Sequence, residues 1–139
     1  MNAAVWSAKL EIQELLVRYA TGIDQRDWAL FRLCFTEDCD ADYRPFGRWR
    51  SSAEITEWMI SAHVAYDHTL HRITNAVIEV SGDTATCRSY VDVILRLRDG
   101  IGHHEGYGIY DDELVHGPEG WRIARRRYTL VKSGRDLQS

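Results

Sequence analysis

Apolar residues Ile12, Leu15, Leu16, Tyr19, Ala20 and Ile23 recur at steps of three and four. That spacing predicts one buried stripe on an amphipathic helix from Val5 to Ile23. Gly22, near its end, reads as a point of fraying or a bend. A second, short helix is expected after Asp27, with Trp28, Phe31, Leu33, Cys34 and Phe35 inward. The irregular aromatic stretch Tyr43-Arg44-Pro45-Phe46-Gly47-Arg48-Trp49 predicts a short strand or hairpin. Ser51-Ser52-Ala53-Glu54 has the form of a capping box and opens a third helix through Ile55, Trp58, Met59 and Ile60.

The second half changes period. His71 to Val80 is rich in β-branched residues and stops at Ser81-Gly82-Asp83, a turn signal. From Thr84 to Arg98 the chain alternates. Cys87, Ser89, Val91, Val93, Leu95 and Leu97 share one face, and Arg88, Tyr90, Asp92, Ile94 and Arg96 the other. The Asp92 and Ile94 side reads as the pocket side, and the opposite apolar face as one covered by another subunit, in a homodimer or homotrimer formed through the sheet. Asp99-Gly100 is a hairpin turn, Gly102 to His116 a third strand, and Trp121 to Lys132 a fourth. Helices first and consecutive hairpins afterwards predict a single α+β domain over residues 1–139, its helices packed on one face of a curved antiparallel sheet.

Composition narrows this picture by exclusion. A chain of 139 residues, 45% hydrophobic and 27% charged, is an ordinary globular domain. No apolar run reaches the roughly 18 residues that cross a bilayer, and Lys9, Glu11 and Glu14 interrupt the first apolar stretch, unlike a secretory signal. The net charge of −4 provides no basic field for nucleic acid or anionic lipid, so neither is an expected partner. Three cysteines, Cys34, Cys39 and Cys87, lack zinc spacing and read as reduced thiols of a cytoplasmic protein.

The chain has no Gly-rich phosphate loop, nucleophile elbow or zinc-protease motif. His103-His104-Glu105 resembles a metal site on paper, but neighbouring strand residues point to opposite faces, so no metal is expected. His68 and His71 have no carboxylate in register, and Cys34 reads as packing. Asp24 ends the first helix directly after a buried residue, so its carboxylate must be paired or solvated. In the run Arg125-Arg126-Arg127, strict alternation sets Arg125 and Arg127 with Trp121 and Ile123, and Arg126 with Ala124, Tyr128 and Leu130. A guanidinium among apolar neighbours needs a carboxylate partner or an anionic substrate group.

Glu11-Ile12-Gln13-Glu14-Leu15-Leu16 through Tyr19 to Asp24, then His71-Arg72-Ile73-Thr74-Asn75, Gly82-Asp83-Thr84-Ala85, and Gly120-Trp121-Arg122-Ile123 with Arg126 together resemble the SnoaL-like branch of the nuclear transport factor 2 superfamily. The resemblance implies a cone, a bent sheet wrapped on N-terminal helices with a deep pocket at its open end. Within that branch the chain is most similar to the dehydratase type: scytalone dehydratase, bile-acid dehydratase and lindane dehydrochlorinase. That similarity implies Asp24 and His71 as catalytic residues within hydrogen-bond reach, and Tyr19, Tyr43 and Arg126 as substrate contacts. Where the scytalone enzyme has a tyrosine before its aspartate this chain has Ile23, and where a third polar strand residue is usual it has Ile94.

Asp92, Ile94, Tyr110 and Tyr128 complete the expected lining, with His104 a secondary candidate and Gly106 and Gly108 leaving space for a ligand. Five Trp, seven Tyr and three Phe favour a hydrophobic ring compound. The expected activity is that of a lyase or isomerase without a cofactor: histidine removes a proton from carbon, and the aspartate fixes its tautomer. A non-catalytic ligand-binding module and a structural partner of the same fold stay open beside it. Epoxide hydrolysis would need two carboxylates around an arginine, and Asp92 is the one evident second acid.

Overall fold

A computed structural model describes residues 2–137, with side chains through residue 134. Helix α1 (Ala3–Asp24) starts behind Asn2, whose Oδ1 accepts the Val5 N–H at 2.9 Å. It buries the predicted stripe, Ile12, Leu15, Leu16, Tyr19, Ala20 and Ile23. Gly22 lies within the helix, which runs on through Asp24. A Cβ there would lie 3.0 Å from the backbone N of Phe31 and 3.2 Å from its Cα. Glycine therefore lets α2 (Trp28–Arg32) pack directly on α1. Asp27 caps α2 through the Leu30 N–H. This helix is shorter than its pattern suggests: Leu33 is 56% exposed, and Phe35 opens the next strand.

Strands β1 (Phe35–Asp42) and β2 (Arg48–Trp49) form a small hairpin around Tyr43–Gly47. In α3 (Ser52–His63), the Ser51 Oγ accepts the Glu54 N–H at 3.1 Å, while the Glu54 carboxylate accepts from the Arg50 N–H at 2.7 Å. The capping box thus reaches back one residue further than expected. Four long strands follow: β3 (Tyr66–Ser81), β4 (Thr84–Leu97), β5 (Gly102–Gly117) and β6 (Gly120–Leu137). The six-stranded sheet runs β2-β1-β6-β5-β4-β3 and does not close, so β3 is an edge. The expected all-antiparallel order fails in one place, because β1 runs parallel to β6.

The helices cover one face of this sheet, and the core lies between them. On β4, the alternation is as expected but the sides are reversed. Ala85, Cys87, Ser89 and Val91 are buried under the chain's own helices, whereas Tyr90 and Ile94 are exposed on the outer face with Asp92. The apolar face seeks the core, and here the same chain supplies it. On β6 a bulge corrects the arginine parity. Leu114 pairs with Ile123 but Glu113 pairs with Arg125, which leaves Ala124 as an extra residue. Trp121, Ile123 and Arg126 consequently all turn inward.

Candidate active site

Asp24 is the last residue of α1, and the turn that follows aims it at the sheet. Gln25, Arg26 and Asp27 donate their N–H groups to Thr21, Ile23 and Gly22, closing the helix end. Arg26 adopts φ 58°, a left-handed conformation uncommon for a residue with a side chain, and this reverses the chain. Its guanidinium donates to the Ile23 carbonyl at 2.7 Å, to Thr69 Oγ1 at 2.9 Å and to the Tyr66 carbonyl at 3.3 Å, fastening the helix end to β3.

Against that fixed end, β3 presents Thr69 and His71 on its inner face. The Thr69 hydroxyl donates to Asp24 Oδ1 at 2.9 Å, the His71 backbone N–H donates to Oδ2 at 2.9 Å, and His71 Nδ1 donates to Oδ1 at 2.7 Å. A carboxylate accepts, so the proton of a neutral His71 sits on Nδ1 and Nε2 carries the lone pair. The His71 side chain is 7% exposed and that of Asp24 19%. Both line an open cleft of about 400 Å³ between α1 and β3, floored by Leu16, Ala20 and Ile73 and edged by Thr74 and Asn75. Among the larger depressions elsewhere are two of about 470 and 610 Å³. One covers charges that pair with each other, such as Arg125 with Glu113, and the other lies over Tyr90 and Tyr107 on the outer face.

The other expected site residues divide into two groups. Tyr19, Tyr43, Tyr110 and Arg126 come together in the core. Tyr19 Oη lies 2.8 Å from Tyr43 Oη and 3.0 Å from Tyr110 Oη, and Arg126 Nη1 donates to Tyr43 at 3.1 Å. Arg126 is bidentate to Asp112, at 2.7 and 2.9 Å, and its guanidinium stacks 3.6 Å from the Tyr110 ring centre. Burial raises Tyr19 and Tyr110 well above the ordinary phenol range. Tyr43 stacks on the half-buried Tyr128, whose ring fills the space over Gly108, and at Gly106 a Cβ would already touch Val93 Cγ2 at 3.5 Å. The cluster is thus satisfied internally, and the carboxylate that Arg126 requires is Asp112.

Asp92 and Ile94 do not reach the pocket: Asp92 pairs with Arg72 at 2.6 Å on the outer face, and Ile94 is exposed there. His104 faces inward with its Nδ1 bonded to the Tyr66 hydroxyl. Burial pushes the thiols of Cys34 and Cys39 up to about 11 and that of Cys87 up to about 12, so packing is their role. Four contributors escaped the sequence reading: Arg26, Thr69, Asp112 and His63. Strand alternation would have found Thr69 beside His71 and Asp112 beside Tyr110. Four-residue steps from Ile55 through Met59 would have found His63 on the buried face of α3.

A family model described as a SnoaL-like domain matches residues 5–127. An uncharacterized protein of Mycobacterium tuberculosis is 34% identical over 128 residues, covering 91% of this chain and 87% of its own. A candidate scytalone dehydratase of Novosphingobium aromaticivorans superposes with TM-score 0.84 at 23% identity, over 91% of this chain and 85% of that one. A hexachlorocyclohexane dehydrochlorinase gives TM-score 0.85 at 17% identity, over 95% and 90%. At those identities the two structures speak for the cone fold alone. The family match covers most of the chain, and this protein belongs to the SnoaL-like domain family of the nuclear transport factor 2-like superfamily.

Proposed function

We propose that this protein is a cofactor-independent lyase or isomerase of dehydratase type, acting on a small hydrophobic oxygenated ring compound. The observation that carries this reading is the Asp24–His71 hydrogen bond, nearly buried yet bordering an open cleft with an apolar floor. Elimination and double-bond migration share a first step, removal of a proton from a carbon made acidic by a neighbouring carbonyl. His71 Nε2 is the base. Asp24 holds the opposite nitrogen protonated and stabilises the imidazolium as it forms, and Thr69 and the His71 backbone hold Asp24. The proton then returns to a leaving hydroxyl, giving a lyase, or to another carbon, giving an isomerase. Neither route needs an electron acceptor.

Deuterium wash-in from D2O at the carbon next to the carbonyl of 3-hydroxycyclohexanone reads the shared step. Wild-type protein should accelerate it. His71→Ala and Asp24→Asn should each lose about 10²–10⁴-fold while keeping a native circular dichroism spectrum. Equal rates in all three proteins would refute the assignment.

A further inference from the structure

Arg26 takes φ 58°, where a glycine or an asparagine would make the turn after α1 at less conformational cost. The backbone gives no reason for an arginine here, but the side chain does. Of the two hydrogens on Nη1, one goes to the Ile23 carbonyl at 2.7 Å and one to Thr69 Oγ1 at 2.9 Å, while Nη2 donates to the Tyr66 carbonyl at 3.3 Å. The two carbonyls fix the guanidinium between the end of α1 and the start of β3. The remaining bond goes to a side chain that itself holds Asp24. A guanidinium can only donate, so Thr69 Oγ1 accepts from Arg26. Threonine has a single hydroxyl hydrogen, which therefore lies towards Asp24 Oδ1, 2.9 Å away. That same Oδ1 accepts from His71 Nδ1 at 2.7 Å. Thr69 is 4% exposed, so bulk water does not compete for its hydrogen. Asp24 and His71 line the cleft, whereas Arg26 and Thr69 stand behind them and are not part of its wall.

Resting on the Asp24–His71 reading, we infer that Arg26 is a positioning residue of this site: by occupying the Thr69 oxygen it points the Thr69 hydroxyl at Asp24, and so holds the carboxylate where it receives the His71 Nδ1 proton. Arg26 Nη1–H donates to Thr69 Oγ1, Thr69 O–H donates to Asp24 Oδ1, and His71 Nδ1–H donates to the same oxygen. No proton is transferred along this chain. Without the guanidinium the hydroxyl is free to rotate, and Oδ1 retains only the imidazole. The carboxylate then turns about its Cβ–Cγ bond, and the tautomer that leaves Nε2 bare is no longer fixed. A substrate in the cleft touches neither Arg26 nor Thr69, so the loss falls on kcat and leaves KM in place. A residue that only fastened α1 to β3 would act without the Thr69 hydroxyl.

The test is a double-mutant cycle of Arg26→Met and Thr69→Val, read on the deuterium wash-in and on the His71 Nδ1–H resonance of the full-length protein. Each single variant should lower kcat about 10–100-fold, the worth of a hydrogen bond to a charged group, with KM unchanged. The double variant should lose no more than either single one, and Thr69→Ser should recover most of what Thr69→Val loses. The Nδ1–H signal, shielded from solvent in the wild type, should exchange with water in both single variants. Losses that multiply, or a wild-type Nδ1–H signal in Arg26→Met, would reduce Arg26 to a fastener and overturn the inference. Should Arg26→Met fail to fold, the wild-type Thr69 hydroxyl decides: a coupling to Hβ of one fixed rotamer supports the inference, and rotational averaging overturns it. If the wild type fails to accelerate wash-in, the proposed function falls, and the Nδ1–H comparison alone decides the role of Arg26.

Discussion

Asp24 accepts three hydrogen bonds on one carboxylate, and each comes from a residue of β3 that sits beside it only after folding. Asp24 is legible in the sequence by its place at a helix end, and His71 as its partner only through the resemblance to the SnoaL-like branch. Thr69 and His63 can be placed by period alone, on the face of His71 and on the buried face of α3, but a threonine on a strand and a histidine on a helix carry no chemical mark until their neighbours are known. His63 also has a measurable consequence for stability. Burial disfavours its charged form first, His71 and Arg26 act in the same direction, and Asp24 and the Met59 carbonyl oppose them. Its folded pKa of about 4 lies below the roughly 6.5 of an unfolded histidine. The unfolded chain therefore binds the extra proton between those values. The contribution is complete above pH 6.5 and is lost as pH falls to 4, amounting to about 3 kcal/mol. Urea unfolding across pH 4–7 should show this slope in the wild type and a flatter one in His63→Leu.

The acidic β1 segment shows why one element was missed. Thr36-Glu37-Asp38-Cys39-Asp40-Ala41-Asp42 has poor strand propensity, and no turn signal frames it. Its pairing is set at long range: Asp40 lies opposite Arg125 and Asp42 opposite Arg127 on the parallel neighbour β6. The Ala124 bulge is equally silent in the sequence, because one extra residue leaves the local pattern intact while reversing every side chain beyond it. The hairpins, by contrast, announce themselves through Ser81-Gly82-Asp83 and Asp99-Gly100. Gly22 gives a test at this scale. Alanine in a helix interior ordinarily gains about 1 kcal/mol over glycine, yet here its Cβ would press on the Phe31 backbone at 3.0–3.2 Å. Gly22→Ala should therefore lower the thermal midpoint, whereas an increase would show that α2 can yield without cost.

The whole molecule is a cone with its own helices on the inner face and an uncovered outer face. The alternation of β4 was readable, but which side met the helices was not, because both faces carry apolar residues and the sequence does not say which one the helices reach. On the outer face, Tyr90 is 48% exposed, Tyr107 39% and Ile94 38%, around the Arg72–Asp92 pair. We infer that further copies of this chain cover that face. An arginine and an aspartate side by side are self-complementary, and a symmetry-related copy can exchange their partners. Sedimentation should find a dimer or trimer that Ile94→Arg dissociates; a wild-type monomer at micromolar concentration would contradict it.

All the proposed chemistry depends on where one proton rests in a neutral His71. Long-range 15N–1H spectra of its ring, recorded at a pH where the imidazole is neutral, read that directly. A proton fixed on Nδ1 and a bare Nε2 are predicted, with Asp24→Asn releasing the ring into exchange between both tautomers. A proton on Nε2 in the wild type, or free exchange with Asp24 intact, would contradict the account.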